Sequence, residues 1–251
     1  SLGLRLSEAL NLTIADVDAV AQHGLAVSLG DDAIRSITKT RESVENLAGG
    51  PDPIYGINTG FGSLSRHQVD AHEVSDIQLN LLRSHAAGVG DPLPREVVRA
   101  MMLLLAASLS RGRSGGRPEL IHQLIAVLNA DIVPVVPSRG SVGASGDLAP
   151  LAHLSLILVG EGQARLGRDG EIMDGKDALA ARSITPMTLG AKEGLALING
   201  THMMAAFAAL SLRSFDRVLE AAVSSAAMAI DACLGSVTPL DQRIHEARCQ
   251  P

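Results

Sequence analysis

Apolar positions recur at helical spacing through most of this chain. In "TIADVDAVAQHG" (13–24) the period opens at a plausible Thr13 cap and stops at Gly24, and "DDAIRSITKTRESVENLAGG" reads as a capped, polar-faced helix stopped by Gly49-Gly50. The next stretch, "PDPIYGINTGFGSLS", fits neither the helical nor the strand period and reads as a glycine-punctuated loop. Further helices are predicted in "SDIQLNLLRSHAAGVG", in "PREVVRAMMLLLAASLSRG" with Pro94 near its start, and in "RPELIHQLIAVLNA". Two prolines exclude a helix from "IVPVVPSRGSVGASG", which reads as extended and then turning. A helix is expected from about Asp147, with Asp147 as its cap and Pro150 in its first turn. "QARLGRDGEIM" predicts a small hairpin about Arg168-Asp169-Gly170. From about Lys192 to Ser236 the pattern is helical with an interruption at Asn199-Gly200, and the tail "VTPLDQRIHEARCQP" shows no convincing period. The fold class is therefore all-α: mainly helical, with minor short strands and a hairpin, and without a repeat or an interdomain linker.

Composition supports that class. Hydrophobic residues make up 46% of the 251 positions but aromatic ones only 2%, with no Trp and one Tyr, so the core must be aliphatic, as in packed helices rather than a β-sandwich. A net charge of −6 leaves no footprint for nucleic acid. Cys233 and Cys249 do not make a disulfide framework, which points to a reducing cytoplasm. The start, "SLGLRLSEALNLT", lacks the basic and long apolar regions of a secretory signal. The nearest approach to a membrane span is residues 194–212, "GLALINGTHMMAAFAALSL". Its Asn199, Gly200, Thr201 and His202 favour a helix buried in a bundle, with no membrane partner. No His, Cys, Asp or Glu spacing argues for a metal.

Candidate chemistry concentrates in residues 139–150, "RGSVGASGDLAP". A Walker loop would need Gly-Lys-Ser/Thr, a dinucleotide fingerprint a βαβ unit, and a hydrolase elbow G-x-S-x-G, where position 147 is Asp. A plain structural turn stays open. So does a reaction of the backbone with itself, in which the Gly146 nitrogen attacks the Ala144 carbonyl carbon and closes a five-membered ring. The missing Cβ at Gly146 clears that approach. Loss of water from the ring and from the Ser145 side chain would leave an exocyclic methylene on an imidazolone, a strong electrophile. The following helix N-terminus would favour negative charge there. Asp147 is placed to orient the loop or to shuttle protons.

The segment "GSVGASGDLAPLAH" closely resembles the signature of the histidine and aromatic amino-acid ammonia-lyases, which form methylidene-imidazolone (MIO) from an Ala-Ser-Gly triplet. "YGINTGFG" (55–62), "NLLRSHAAGVG" (80–90) and "KEGLALINGT" (192–201) agree with that family in the same order, so the resemblance covers essentially the whole chain. It implies a mainly helical fold assembled as a homotetramer. The reaction it implies is non-oxidative removal of ammonia from an α-amino acid. The MIO would come from Ala144, Ser145 and Gly146, supported by Gly143 and Asp147, with no metal or dissociable cofactor. Tyr55 matches a catalytic acid/base. The glycines of its loop, Gly62 among them, would permit turns and close approach of substrate, and mobility of that loop as a lid is an expectation. The Ser84-His85 pair resembles the histidine-specific form, and an imidazole at His85 could exchange a hydrogen bond with a substrate imidazole. Asn199 is expected to hold a carboxylate and the ring carbonyl. His202 stands where Gln is common in histidine lyases, and counts with His85, Asn199 and Gly62 as substrate-binding. His153, facing away from the Leu151/Leu154/Leu158 stripe, is expected to make a structural hydrogen bond.

The resemblance also implies that residues 1–251 are an N-terminal portion, carrying the MIO region and the start of a central helical bundle but not the C-terminal half. Such a portion would be inactive alone. The expected whole is a cytoplasmic carbon–nitrogen lyase converting L-histidine to urocanate. The alternatives are a tyrosine or phenylalanine ammonia-lyase or aminomutase, and a non-catalytic helical assembly module.

Overall fold

The computed structural model describes residues 3–59, 73–143 and 145–249. Two units divide the chain, Ser1–Leu210 and Ser211–Pro251. The first unit holds the hydrophobic core, and its centre is helix α4 (Arg95–Ser110). The run "AMMLLLAA" leaves that helix no polar face, so Val98, Met101, Met102, Leu103 and Leu105 are all buried around its circumference. A helix apolar on every side belongs in a core. Helices α1 (Ile14–His23), α2 (Asp31–Ala48) and α5 (Pro118–Asn129) pack around it. The α1 ends are those the pattern predicts: Thr13 and Asp16 form a reciprocal capping box, and Gly24 closes the helix at φ 69°.

A charged residue of α4 itself enters that core. Arg99 of α4 is buried, and its guanidinium donates to Val20 O at 2.9 Å, Leu128 O at 2.8 Å and Asp131 Oδ1 at 2.8 Å. The ends of α1 and α5 are thereby tied to the core helix through carbonyls of their last turns.

The strands are short and peripheral. β1 (Leu4–Leu6) and β2 (Val27–Leu29) pair in parallel, and β3 (Val89–Pro92) pairs antiparallel with β5 (Pro137–Arg139). β4 (Ile132–Pro134), β6 (Gln163–Leu166) and β7 (Ile172–Asp174) make a three-stranded sheet in that order, with the predicted hairpin between β6 and β7. The parallel pair was not foreseen: three residues per strand are too few for a period-two pattern. The remaining elements of this unit are α3 (Val74–His85), α6 (Leu148–Leu156), α7 (Gly175–Ala180), α8 (Glu193–Ile198) and the first turns of α9 (His202–Ala232).

From Ser211 onward the second unit contains the rest of α9, a 3-10 turn at Thr238–Leu240 and α10 (Gln242–Ala247), a short helix in the tail where no period was read. The bundle-buried helix expected at 194–212 is met only in part: in α9 the buried residues are Met203, Ala206 and Leu210, while Leu212, Phe215, Leu219 and Val223 are exposed. By length and composition alone, Glu193–Ala232 is long and apolar enough to cross a membrane. Cys233 and Cys249 are both exposed and unpaired.

Candidate active site

The glycine corner folds back on itself. Val142 N–H donates to Gly146 O at 2.8 Å, and Asp147 N–H donates to Ser145 O at 3.0 Å across a three-residue turn. Gly146 at the centre of that turn has φ 74°, and Gly143 has φ 81°. Positive φ with an i to i+2 hydrogen bond has the sense of the rare, strained γ-turn, which glycine adopts without a Cβ penalty. A Cβ on Gly146 would also meet Met204 Cε at 2.5 Å. Ala144 lies outside the described residues.

Asp147 corrects one expectation. Helix α6 does begin at Leu148, but the Asp147 side chain makes no cap bond to it. Its Oδ2 instead accepts from Met203 N at 2.7 Å and Met204 N at 3.0 Å, capping α9, and its own N–H also donates to Gly200 O at 3.1 Å. The carboxylate satisfies the second and third N–H of a helix begun 55 residues later, and its charge suits that positive helix end. The proximal α6 terminus loses little, because Pro150 has no N–H to satisfy. The other oxygen, Oδ1, is buried without a hydrogen-bond partner among the described residues.

Three helices pack on one another around this corner: α3, which ends at His85; α6, which follows Ser145; and α8, which ends before Asn199. Their register is fixed by polar locks. Buried Gln78 of α3 accepts Gly194 N–H of α8 at 2.9 Å, and α8 approaches so closely that a Cβ on Gly194 would lie 2.7 Å from Gln78 O. Glu193, fully buried, accepts from Arg117 Nη2 at 2.7 Å, from Arg117 N at 2.9 Å and from Gly190 N at 2.7 Å. Burial alone would raise the Glu193 carboxyl, but these hydrogen bonds outweigh it and hold the group below the usual carboxylate range. His153 of α6 makes the structural hydrogen bond expected of it: its Nε2 accepts Gly88 N–H at 3.0 Å.

His85 is half-buried, and its Nδ1 lies 2.9 Å from Leu81 O. A carbonyl only accepts, so that contact puts the proton on Nδ1 and leaves Nε2 as the acceptor of the ring. Asn199 is exposed; its N–H closes α8 on Leu195 O at 3.1 Å, and its side-chain amide has no hydrogen-bond partner among the described residues. Tyr55 is 54% exposed, on a turn with Gly56 at φ 73°. That turn is built by buried Asn58, whose Oδ1 accepts Ile54 N–H at 2.7 Å and whose Nδ2 donates to Asp52 O at 3.0 Å. Gly60, Gly62 and the rest of the predicted lid lie outside the described residues.

His202 is placed differently. Its ring lies over Gly200, where a Cβ would collide with it, and it shares a cavity of 340 Å³ with Leu12, Ser108, Arg111 and Thr201. None of Tyr55, His85, Ser145 or Asn199 lines that cavity. Burial pushes the His202 imidazole below its ordinary value, against an opposing pull from Asp147, and its Nδ1 has no partner among the described residues. Sequence reasoning missed Asn58 and the Gln78 lock. Gln78 did carry a signal, an amide on the same helical face as Leu81 and Leu82, and a buried amide demands a specific partner. No metal-binding group of His, Cys, Asp or Glu occurs among the described residues.

The sequence model described as aromatic amino acid lyase matches residues 12–251. A histidine ammonia-lyase of Gloeobacter violaceus is 47% identical over 241 residues, covering 96% of this chain and 46% of that protein. The crystal structure of histidine ammonia-lyase from Trypanosoma cruzi superposes with a TM-score of 0.89 at 34% identity, over 98% of this chain and 48% of that one. Pantoea agglomerans phenylalanine aminomutase gives a TM-score of 0.87 at 32% identity, over 98% and 47%. The chain thus spans about half the length of the relatives it matches. With its mainly helical fold and a matching model over residues 12–251, the chain belongs to the aromatic amino acid lyase family.

Proposed function

We propose that the protein of which this chain is the N-terminal portion is a histidine ammonia-lyase, releasing ammonia from L-histidine to leave urocanate, with an MIO formed from Ala144, Ser145 and Gly146. The observation that carries this reading is the corner itself. Positive φ at Gly143, just before the triplet, and at Gly146, its last residue, and the Val142–Gly146 hydrogen bond support this reading. A buried Asp147 Oδ1 beside it, without a partner among the described residues, fits a group whose formation moves protons. The MIO supplies an electrophile for the substrate amine, which no unmodified side chain offers.

The other residues bind substrate and move protons. Tyr55, exposed on its turn, is the acid/base. His85 Nε2 accepts a hydrogen bond from the substrate imidazole N–H. The Asn199 amide holds the substrate carboxylate and Gly62 allows its close approach, while His202, on a cavity that Tyr55, His85, Ser145 and Asn199 do not line, is left out of the binding set. We place the assembled enzyme in the cytoplasm as a homotetramer without nucleic-acid or membrane partners. In it the exposed stripe of Leu212, Phe215, Leu219 and Val223 opens the central bundle, and residues 1–251 alone do not turn over substrate.

The second reading is a phenylalanine or tyrosine lyase or aminomutase, favoured by the likeness to the Pantoea phenylalanine aminomutase. Incubating the full-length protein with histidine, phenylalanine and tyrosine separates the two. Urocanate absorbance and ammonia from histidine alone are expected, both lost in Ser145→Ala. A cinnamate-type product or a β-amino acid would favour the second reading, and activity surviving in Ser145→Ala would overturn both.

A further inference from the structure

His153 sits where three pieces of the candidate site meet. Its Nε2 accepts Gly88 N–H at 3.0 Å, and Gly88 lies three residues beyond His85. A Cβ on Gly88 would lie 3.2 Å from that Nε2, so the imidazole and the backbone are in direct contact. On its other side Gly88 touches the start of the reactive corner: a Cβ on Gly140 would lie 3.3 Å from Gly88 Cα and 3.2 Å from the Ala149 side chain. Immediately after Gly88, Val89 pairs with Arg139 in the ladder that leads into the corner. The loop that follows His85, the strand before Ser145 and the helix after Ser145 therefore converge on one imidazole.

We propose that His153 is a positioning residue for the amino-acid site: as a neutral Nδ1–H imidazole it holds Gly88, and through it the end of the His85 helix, against the corner that carries Ser145. The inference rests on the lyase reading for its consequence in turnover, but not for the contact itself. Only the neutral ring can accept that N–H. A proton on Nε2 would set two donors face to face and push the turn off the helix.

The surroundings favour the neutral form. Burial pushes the His153 imidazole below its ordinary value. Among the packed elements, α3 contributes His85 and Arg83, the latter paired with Glu161 through Nε to Oε2 at 2.9 Å. β5 contributes Arg139, whose stem lies over Gly90. Beyond Asp147, which caps α9, α6 brings no other charged side chain. Of the carboxylates named on these elements, Glu161 is engaged by Arg83, Glu193 of α8 by Arg117 and Asp147 by the first N–H groups of α9. The contact is intact at neutral pH and above, and is lost as pH falls through the lowered value of the ring.

The test uses the full-length protein as wild type, His153→Gln, which keeps an acceptor but cannot titrate, and His153→Leu, which has neither property. Histidine turnover is followed from acid to neutral pH, with hydrogen–deuterium exchange of the peptide spanning 83–92 measured on the same samples. His153→Leu is expected to lower kcat/KM about tenfold at neutral pH, the worth of one partly buried hydrogen bond, and to deprotect 83–92. His153→Gln should stay near wild type at neutral pH and lose part of the acid limb of the wild-type profile. An unchanged acid limb in His153→Gln, or protection of 83–92 in His153→Leu equal to wild type, overturns the proposal. Absence of turnover in every variant, with deprotection in His153→Leu alone, would instead sink the lyase reading and leave the contact standing.

Discussion

Asp147 shows how much one side chain can hold at this site. It closes the turn after Ser145 through its N–H and caps α9 through its Oδ2, joining the corner to a helix begun 55 residues later. Asp147→Ala leaves two helix N–H groups, that of Met203 buried, unsatisfied and is expected to cost about 2 kcal/mol in urea unfolding. Asp147→Asn, which keeps one acceptor oxygen and loses the charge, should cost about half as much; an alanine variant as stable as wild type would rule out the cap. Gly146→Ala is the sharper probe of backbone shape. At φ 74° an alanine costs about 1–2 kcal/mol, before its Cβ displaces the Met204 side chain. Sequence placed Asp147 at a helix start correctly but gave it the wrong helix, because a cap motif is read from neighbours and this one is not local.

At the scale of elements, the helices were legible wherever an apolar period ran for ten or more residues between stop signals. Thr13, Gly24, Pro94 and the Asn199-Gly200 break all mark real boundaries. The parallel β1–β2 pair and the locks between helices were not, since Gln78 meets Gly194 and Arg117 meets Glu193 only after the chain has folded. The Arg117–Glu193 lock predicts an acid dependence. Because the folded Glu193 carboxyl lies below its unfolded value of about 4.3, the unfolded chain binds the proton first as pH falls. The stability this pair contributes is complete above that value and is lost as pH drops through the folded one. Wild-type unfolding midpoints should therefore fall as pH drops below about 4.3. Glu193→Gln, about 3 kcal/mol less stable at neutral pH, should fall less over the same range. Parallel curves for the two proteins would contradict the lock.

For the whole molecule, sequence reached the family through the Ala-Ser-Gly corner and three companion segments and the helical class through its apolar period, and the matching family model and the superposed structures agree with them. What it could not supply was the set of contacts by which α3, α6 and α8 bring His85, Ser145 and Asn199 onto three mutually packed helices. The second unit carries its own prediction. With Leu212, Phe215, Leu219 and Val223 exposed along one helix, residues 1–251 prepared alone should bind a hydrophobic dye and self-associate on a sizing column. Replacing Phe215 and Leu219 by Lys should reduce both, and a strictly monomeric, dye-silent wild type would show that the stripe is not sticky. The central claim, that the corner condenses with itself, is tested most directly by high-resolution mass of the peptide spanning 139–150. The account predicts a deficit of two waters, about 36 Da, confined to that peptide and restored to the unmodified mass in Ser145→Ala. A wild-type peptide from active full-length enzyme at its unmodified mass would contradict it.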